Sequence, residues 1–122
     1  MKILFVDTKH TENEDPLALW LILLREKGYT CKVVPVLEDL GEKDPLSNYD
    51  VAIAHPLPCD AYLLKEELRK RPDFRVLLNG GCGLRKGLDS DEAIELGRNT
   101  ERCIYREFLG ISELNSFLRT NL

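Results

Sequence analysis

No run of apolar residues in this chain is long enough to cross a membrane. The longest, Leu17–Leu24, has eight residues and meets Arg25-Glu26-Lys27 at once, whereas a spanning helix needs about 20. The opening MKILFVDTK offers four consecutive apolar residues before Asp7, too few for the core of a secretory signal. A cytoplasmic protein without membrane contact is the expectation. An excess of positive charge is also missing. The 17 Lys and Arg stand against 21 Asp and Glu, a formal net charge of −4, so no chain-wide field would draw nucleic acid. The basic cluster Glu66-Glu67-Leu68-Arg69-Lys70-Arg71 reads as a solvated helix end, where cations suit the negative pole of the helix dipole.

Cysteine is sparse and scattered. Cys31, Cys59, Cys82 and Cys103 form no CxxC pair, which removes the spacing that zinc ribbons and thioredoxin-like motifs need. In a cytoplasmic chain they are expected to be free thiols packed as small hydrophobes. Histidine occurs twice, as His10 and His55, and His55 with Cys59 and Asp60 lacks a recognised ligand spacing. No metal and no cofactor is expected. The stretch Asn79-Gly80-Gly81-Cys82-Gly83 has neither the P-loop nor the dinucleotide fingerprint, and the glycines around Cys82 do not fit a nucleophile elbow. It reads as a flexible turn, with an anion or small-ligand contact through its N–H groups as the sharper alternative. No catalytic residue is assigned, and the expectation is a protein that is not an enzyme.

What the chain does have is a regular alternation. Its 122 residues, 43% hydrophobic and 31% charged, suit one folded domain spanning 1–122 rather than a disordered segment. Short apolar runs at Lys2–Val6, Cys31–Val36, Val51–Ala54, Arg75–Leu78 and Cys103–Tyr105 predict five strands. Between them lie helical patterns. Asp15-Pro16 can open a helix whose Leu17, Trp20, Leu21 and Leu24 repeat at i, i+3, i+4 and i+7, closed by Lys27-Gly28. Residues 37–48 suggest a short helix or loop. Asp60 can cap a helix to about Arg71 with Ala61, Leu64 and Leu68 inward; Asp89 or Ser90 can start a short one; Ser112 can cap a last one carrying Leu114, Phe117 and Leu118.

Nearly continuous apolar strands alternating with amphipathic helices imply an α/β fold with a parallel sheet covered on both faces. The expected architecture is a doubly wound, five-stranded, flavodoxin-like sheet of order 2-1-3-4-5. Its ligand sites lie beyond the carboxyl ends of the strands, at the switch between the first and third. Asp7, Thr8, His55, Asn79 and the residues after Tyr105 gather there.

KILFVDT, YDVAIAHPLP, EAIELGRNTERCIYREF and LGISELNSFLRTNL resemble, in order and spacing, the first strand, third strand, fifth-strand region and closing helix of the receiver domain of two-component response regulators. The resemblance runs nearly from end to end. It implies a site in which two acids after the first strand and a phosphoacceptor aspartate after the third hold magnesium, with a Thr or Ser after the fourth strand and a Lys after the fifth. This chain departs from that set. Asp7 matches the first acid, but Thr8 stands at the second, His55 at the phosphoacceptor, Asn79 at the Thr/Ser position and Arg106 at the Lys position. Glu107 replaces the proline that usually follows, and Pro58 arrives one residue early. The resemblance is therefore to a degenerate pseudo-receiver.

On that resemblance the chain is expected to act as a phosphorylation-independent signalling module through a protein partner or a homodimer. The alternative is a small-ligand or anion sensor using the remodelled strand-end pocket. His55 reads most simply as a neutral imidazole bonded to backbone or Asp7; a pH-sensitive contact, a phosphohistidine and a metal ligand are the sharper readings. Asp7 reads as a strand-end acid paired with Arg106 or Lys9. Receiver domains commonly use their closing face for docking, which makes Tyr105, Phe108, Leu109 and Phe117 interface candidates by resemblance, with burial as the competing reading.

Overall fold

The computed structural model describes residues 1–7, 13, 17–55, 58–79, 103–106 and 111–120. The elements are β1 (Lys2–Asp7), α1 (Leu17–Glu26), β2 (Thr30–Val34), β3 (Val51–His55), α2 (Pro58–Lys70), β4 (Arg75–Asn79), β5 (Cys103–Arg106) and α3 (Ile111–Thr120). All neighbouring strands are parallel, in the order β2-β1-β3-β4-β5. β5 pairs at the free edge of β4 over four residues, from Val76↔Cys103 to Asn79↔Arg106. The short helix expected near Asp89 lies outside the described residues.

The strand alternation divides the apolar residues between two layers, as side chains of period two must. Leu4, Val6, Ala52, Ala54, Val76 and Leu78 face α2, which supplies Leu64 and Leu68. Ile3, Phe5, Val51, Ile53 and Leu77 face α1 and α3, which supply Leu17, Trp20, Leu21, Leu24, Leu114, Phe117 and Leu118. Helices on both faces of a parallel sheet are the doubly wound arrangement that the alternating pattern implied.

α1 ends as its sequence dictates. Gly28 has φ 92°, Tyr29 N donates to Leu24 O at 3.2 Å and Gly28 N to Arg25 O at 3.0 Å. This bond pair is the left-handed glycine cap that satisfies the last carbonyls. Residues 37–48 fold as two 3-10 turns, Leu37–Asp39 and Leu46–Asn48, joined by a further turn in which Asp44 N donates to Gly41 O at 3.0 Å.

Four expectations need correction. α2 starts at Pro58, so Asp60 is not its cap but lies inside the first turn; proline's fixed φ and missing N–H suit the first helical position. Likewise α3 starts at Ile111, which places Ser112 inside it. β2 stops at Val34 rather than running to Val36. Arg71 is not part of a solvated helix end. Its side chain is 19% exposed, lies over the Phe74 ring at 5.0 Å and donates from Nη1 to Tyr49 O at 2.8 Å.

Candidate functional site

The carboxyl edge of the sheet gathers the positions singled out in the sequence. Sheet order reverses between β1 and β3, and there Asp7 stands in register with His55. One strand further, Ala54 registers with Leu78, so Asn79 follows at the same level. Asn79 in turn registers with Arg106. Four adjacent strand ends thus carry an acid, an imidazole, an amide and a guanidinium residue on one rim. That rim is where open parallel sheets place their ligands.

Of these four, the side chain of Asp7 is described, and it is partly exposed. For His55, Asn79 and Arg106 the backbone position is what the structure gives. Thr8, Lys9 and the loop from Gly80 to Gly83 lie outside the described residues, as do Phe108 and Leu109. Tyr105 is placed on β5 by its backbone. Phe117 is corrected as an interface candidate: it is 6% exposed and belongs to the core shared with α1. Its i, i+3, i+4 relation to Leu114 and Leu118 is that of a buried stripe.

Among the described residues, no group of three or more His, Cys, Asp or Glu side chains is arranged to hold a metal ion. Cys31 is a free, half-buried thiol. Burial pushes its pKa up, and the nearby Arg25 guanidinium offsets this in part, so it is a weaker nucleophile than an open cysteine.

Sequence reasoning missed three anchoring side chains. Asp60 is 1% exposed and accepts a hydrogen bond at Oδ1 from Leu37 N at 3.0 Å, tying the first 3-10 turn to α2. Asp44 receives Lys32 Nζ at 2.8 Å, Tyr49 Oη at 2.6 Å and Asn48 Nδ2 at 3.3 Å. The bonds from Lys32 and Tyr49 lower its carboxyl pKa to about 2, and burial together with the Asp44 carboxylate raises that of the Tyr49 hydroxyl. Arg75 is 6% exposed, lies over the Phe117 ring at 5.2 Å and donates from Nη1 to Phe117 O at 3.2 Å. Burial lowers its pKa, against the Asp50 carboxylate, which raises it. The partners lie 4 to 42 residues away in the chain, and nothing in the local pattern announces them.

No helix among the described residues is long and apolar enough to cross a membrane. No protein-family model matches the chain, and no curated protein matches it. Solved structures do match. One is the crystal structure of HP1043, an orphan response regulator of H. pylori, with 19% sequence identity and a TM-score of 0.64 over 100% of this chain and 96% of that one. At that identity the likeness is one of fold, and the α/β fold of this chain is similar to that of a response regulator.

Proposed function

We propose that this chain is a receiver-like signalling module that works without aspartyl phosphorylation, through contacts with a protein partner or a second copy of itself. The observation that carries this reading is the register of the strand ends. Asp7, His55, Asn79 and Arg106 share the carboxyl rim, and the position at the end of β3 holds an imidazole instead of a carboxylate. A phosphoryl group cannot pass to an aspartate that is absent, and one acid from β1 is a poor set of oxygen ligands for magnesium. In this reading the rim no longer performs group transfer, the protein is not an enzyme, and it acts in the cytoplasm.

The test is incubation with acetyl phosphate and magnesium, read by intact mass beside a receiver domain that keeps its acceptor. The expected result is an unshifted mass for this chain and a shifted one for the control. A stable phosphorylated species of this chain would overturn the proposal.

A second reading, a small-ligand or anion sensor, draws on the adjacency of Asn79 and Arg106 at the same rim, since an amide beside a guanidinium is suited to an oxyanion. A thermal-shift screen with nucleotides and inorganic anions separates the two, because a ligand that binds the folded state raises the melting temperature.

A further inference from the structure

Between the 37–48 segment and α2 runs an open groove of about 240 Å³, lined by Leu37, Leu40, Leu46 and Leu63 and rimmed by Glu66, Glu67 and Lys70. Leu63, Glu66, Glu67 and Lys70 repeat at i, i+3, i+4 and i+7, a helix face distinct from the core face of Leu64 and Leu68. Leu63 is 45% exposed and its neighbour Tyr62 61%.

Both walls are fixed in place. Asp60 holds Leu37 through its amide. Arg71 holds Tyr49, and Asp44 is clamped by Lys32 and Tyr49. A groove with fixed walls loses little conformational entropy when it is filled. The volume falls below the roughly 300–1,000 Å³ of small-molecule sites and matches one or two aliphatic side chains.

The charge of the 37–48 wall is one-sided, whereas on the helix side Glu66 and Glu67 pair with Arg69 and Arg71 and Lys70 is exposed. Residues 37–48 carry Glu38, Asp39, Glu42 and Asp44 against Lys43. Asp44 is paired with Lys32, while Glu38, Asp39 and Glu42 are exposed and make no ion pair among the described residues.

From the apolar floor and this acidic wall we infer that the groove docks a segment of a partner protein bearing one or two aliphatic anchors, flanked by lysine or arginine on the side of residues 37–48. The surface is separate from the carboxyl rim, so the proposal does not depend on whether the rim is phosphorylated. Anchors would fill the space above Leu37, Leu40 and Leu46, against Leu63. Flanking cations would face Glu38, Asp39 and Glu42. Such charge complementarity sets specificity and speeds encounter.

The experiment is selection of a phage-displayed library of short random peptides against the intact chain, with binding of the selected peptides measured by fluorescence anisotropy. Two variants serve as comparisons: Leu63→Lys, at an exposed helix position, and the pair Glu38→Lys with Glu42→Lys. The expected consensus is aliphatic anchors beside basic residues. Binding should weaken by about tenfold or more in each variant and fall as salt is raised. Amide shifts on binding should centre on Leu40, Leu46 and Leu63. Failure to enrich any peptide, a consensus without basic residues, or affinity unchanged in Leu63→Lys would overturn the proposal. So would a sedimentation experiment in which Leu63→Lys dissolves a dimer, because the occupant would then be a second copy of this chain. Acetyl phosphate labelling reports on the rim alone, so the two readings fail independently.

Discussion

Replacing Arg71 by alanine removes several contacts at once, and the structure allows the loss to be sized. A hydrogen bond from a charged donor to a half-buried carbonyl contributes about 1.5–3 kcal/mol, and Arg71 makes one to Tyr49 O at 2.8 Å. The guanidinium over Phe74 at 5.0 Å adds about 0.5–1 kcal/mol. The contact with Glu67 is long, at 3.6 Å, but both side chains are under 20% exposed, and about 0.5 kcal/mol is reasonable for it. Asp73, 79% exposed and 3.9 Å away, adds nothing measurable. Freeing a long side chain returns about 1 kcal/mol of rotamer entropy to the variant. The net cost of Arg71→Ala is therefore about 1.5–3.5 kcal/mol. Arg69 is the control: its side chain is 62% exposed and pairs with Glu66 at 3.0 Å, so Arg69→Ala should cost about 0.5 kcal/mol or less. Arg71→Lys keeps the charge but loses the planar fork that stacks and donates together, and should retain under half of the stabilisation. Urea unfolding can be followed by the fluorescence of the single tryptophan, Trp20, which is 5% exposed. With a slope of about 1.5 kcal/mol per molar, the Arg71→Ala midpoint should fall by about 1–2.3 M. If Arg71→Ala and Arg69→Ala unfold at the same urea concentration, the anchoring role of Arg71 is wrong.

Two further outcomes follow from local geometry. Gly28 holds φ 92° with nothing within 4 Å of a would-be Cβ, so Gly28→Ala should destabilise by about 1 kcal/mol through backbone strain alone, without a clash, measurable in the same urea titration. Asp44 has a folded pKa of about 2 against an ordinary 3.8. Its stabilising contribution is present above about pH 4 and is lost as pH falls toward 2, so Asp44→Asn should flatten the acid limb of a melting-temperature profile over that interval, and an unchanged limb would remove Asp44 from the account.

The strands and the layering were legible because each rests on local composition. Ile3 and Phe5 alternate with Leu4 and Val6, and any parallel sheet must send those pairs to opposite faces. Once the strands were placed, their ends had to converge, which is why Asp7, His55, Asn79 and Arg106 could be grouped before their register was known. The anchors were not legible. Asp60 sits where a cap is expected, yet Pro58 starts the helix earlier and frees its carboxylate to reach Leu37, 23 residues back. Arg71 looks like its neighbours Arg69 and Lys70 until Tyr49 is folded beneath it. Phe117 carries the chemistry of an interface residue, and its buried stripe with Leu114 and Leu118 decides otherwise.

Asp50 stands just before β3 and touches the first residues of both neighbouring strands. Lys2 N donates to its carboxylate at 2.7 Å, its own N donates to Lys2 O at 2.9 Å, and Arg75 N donates to its carbonyl at 3.3 Å. A slide of β3 by one residue would break that junction and exchange the strand's two faces. Val51 and Ile53 would then press on α2, where Ala52 and Ala54 leave room for methyl groups, and the alanines would leave voids beneath α1 and α3. The small-large alternation of VAIA works as a parity check on strand pairing, with Asp50 as its zero mark: a misregistered sheet would be wrong on both sides at once.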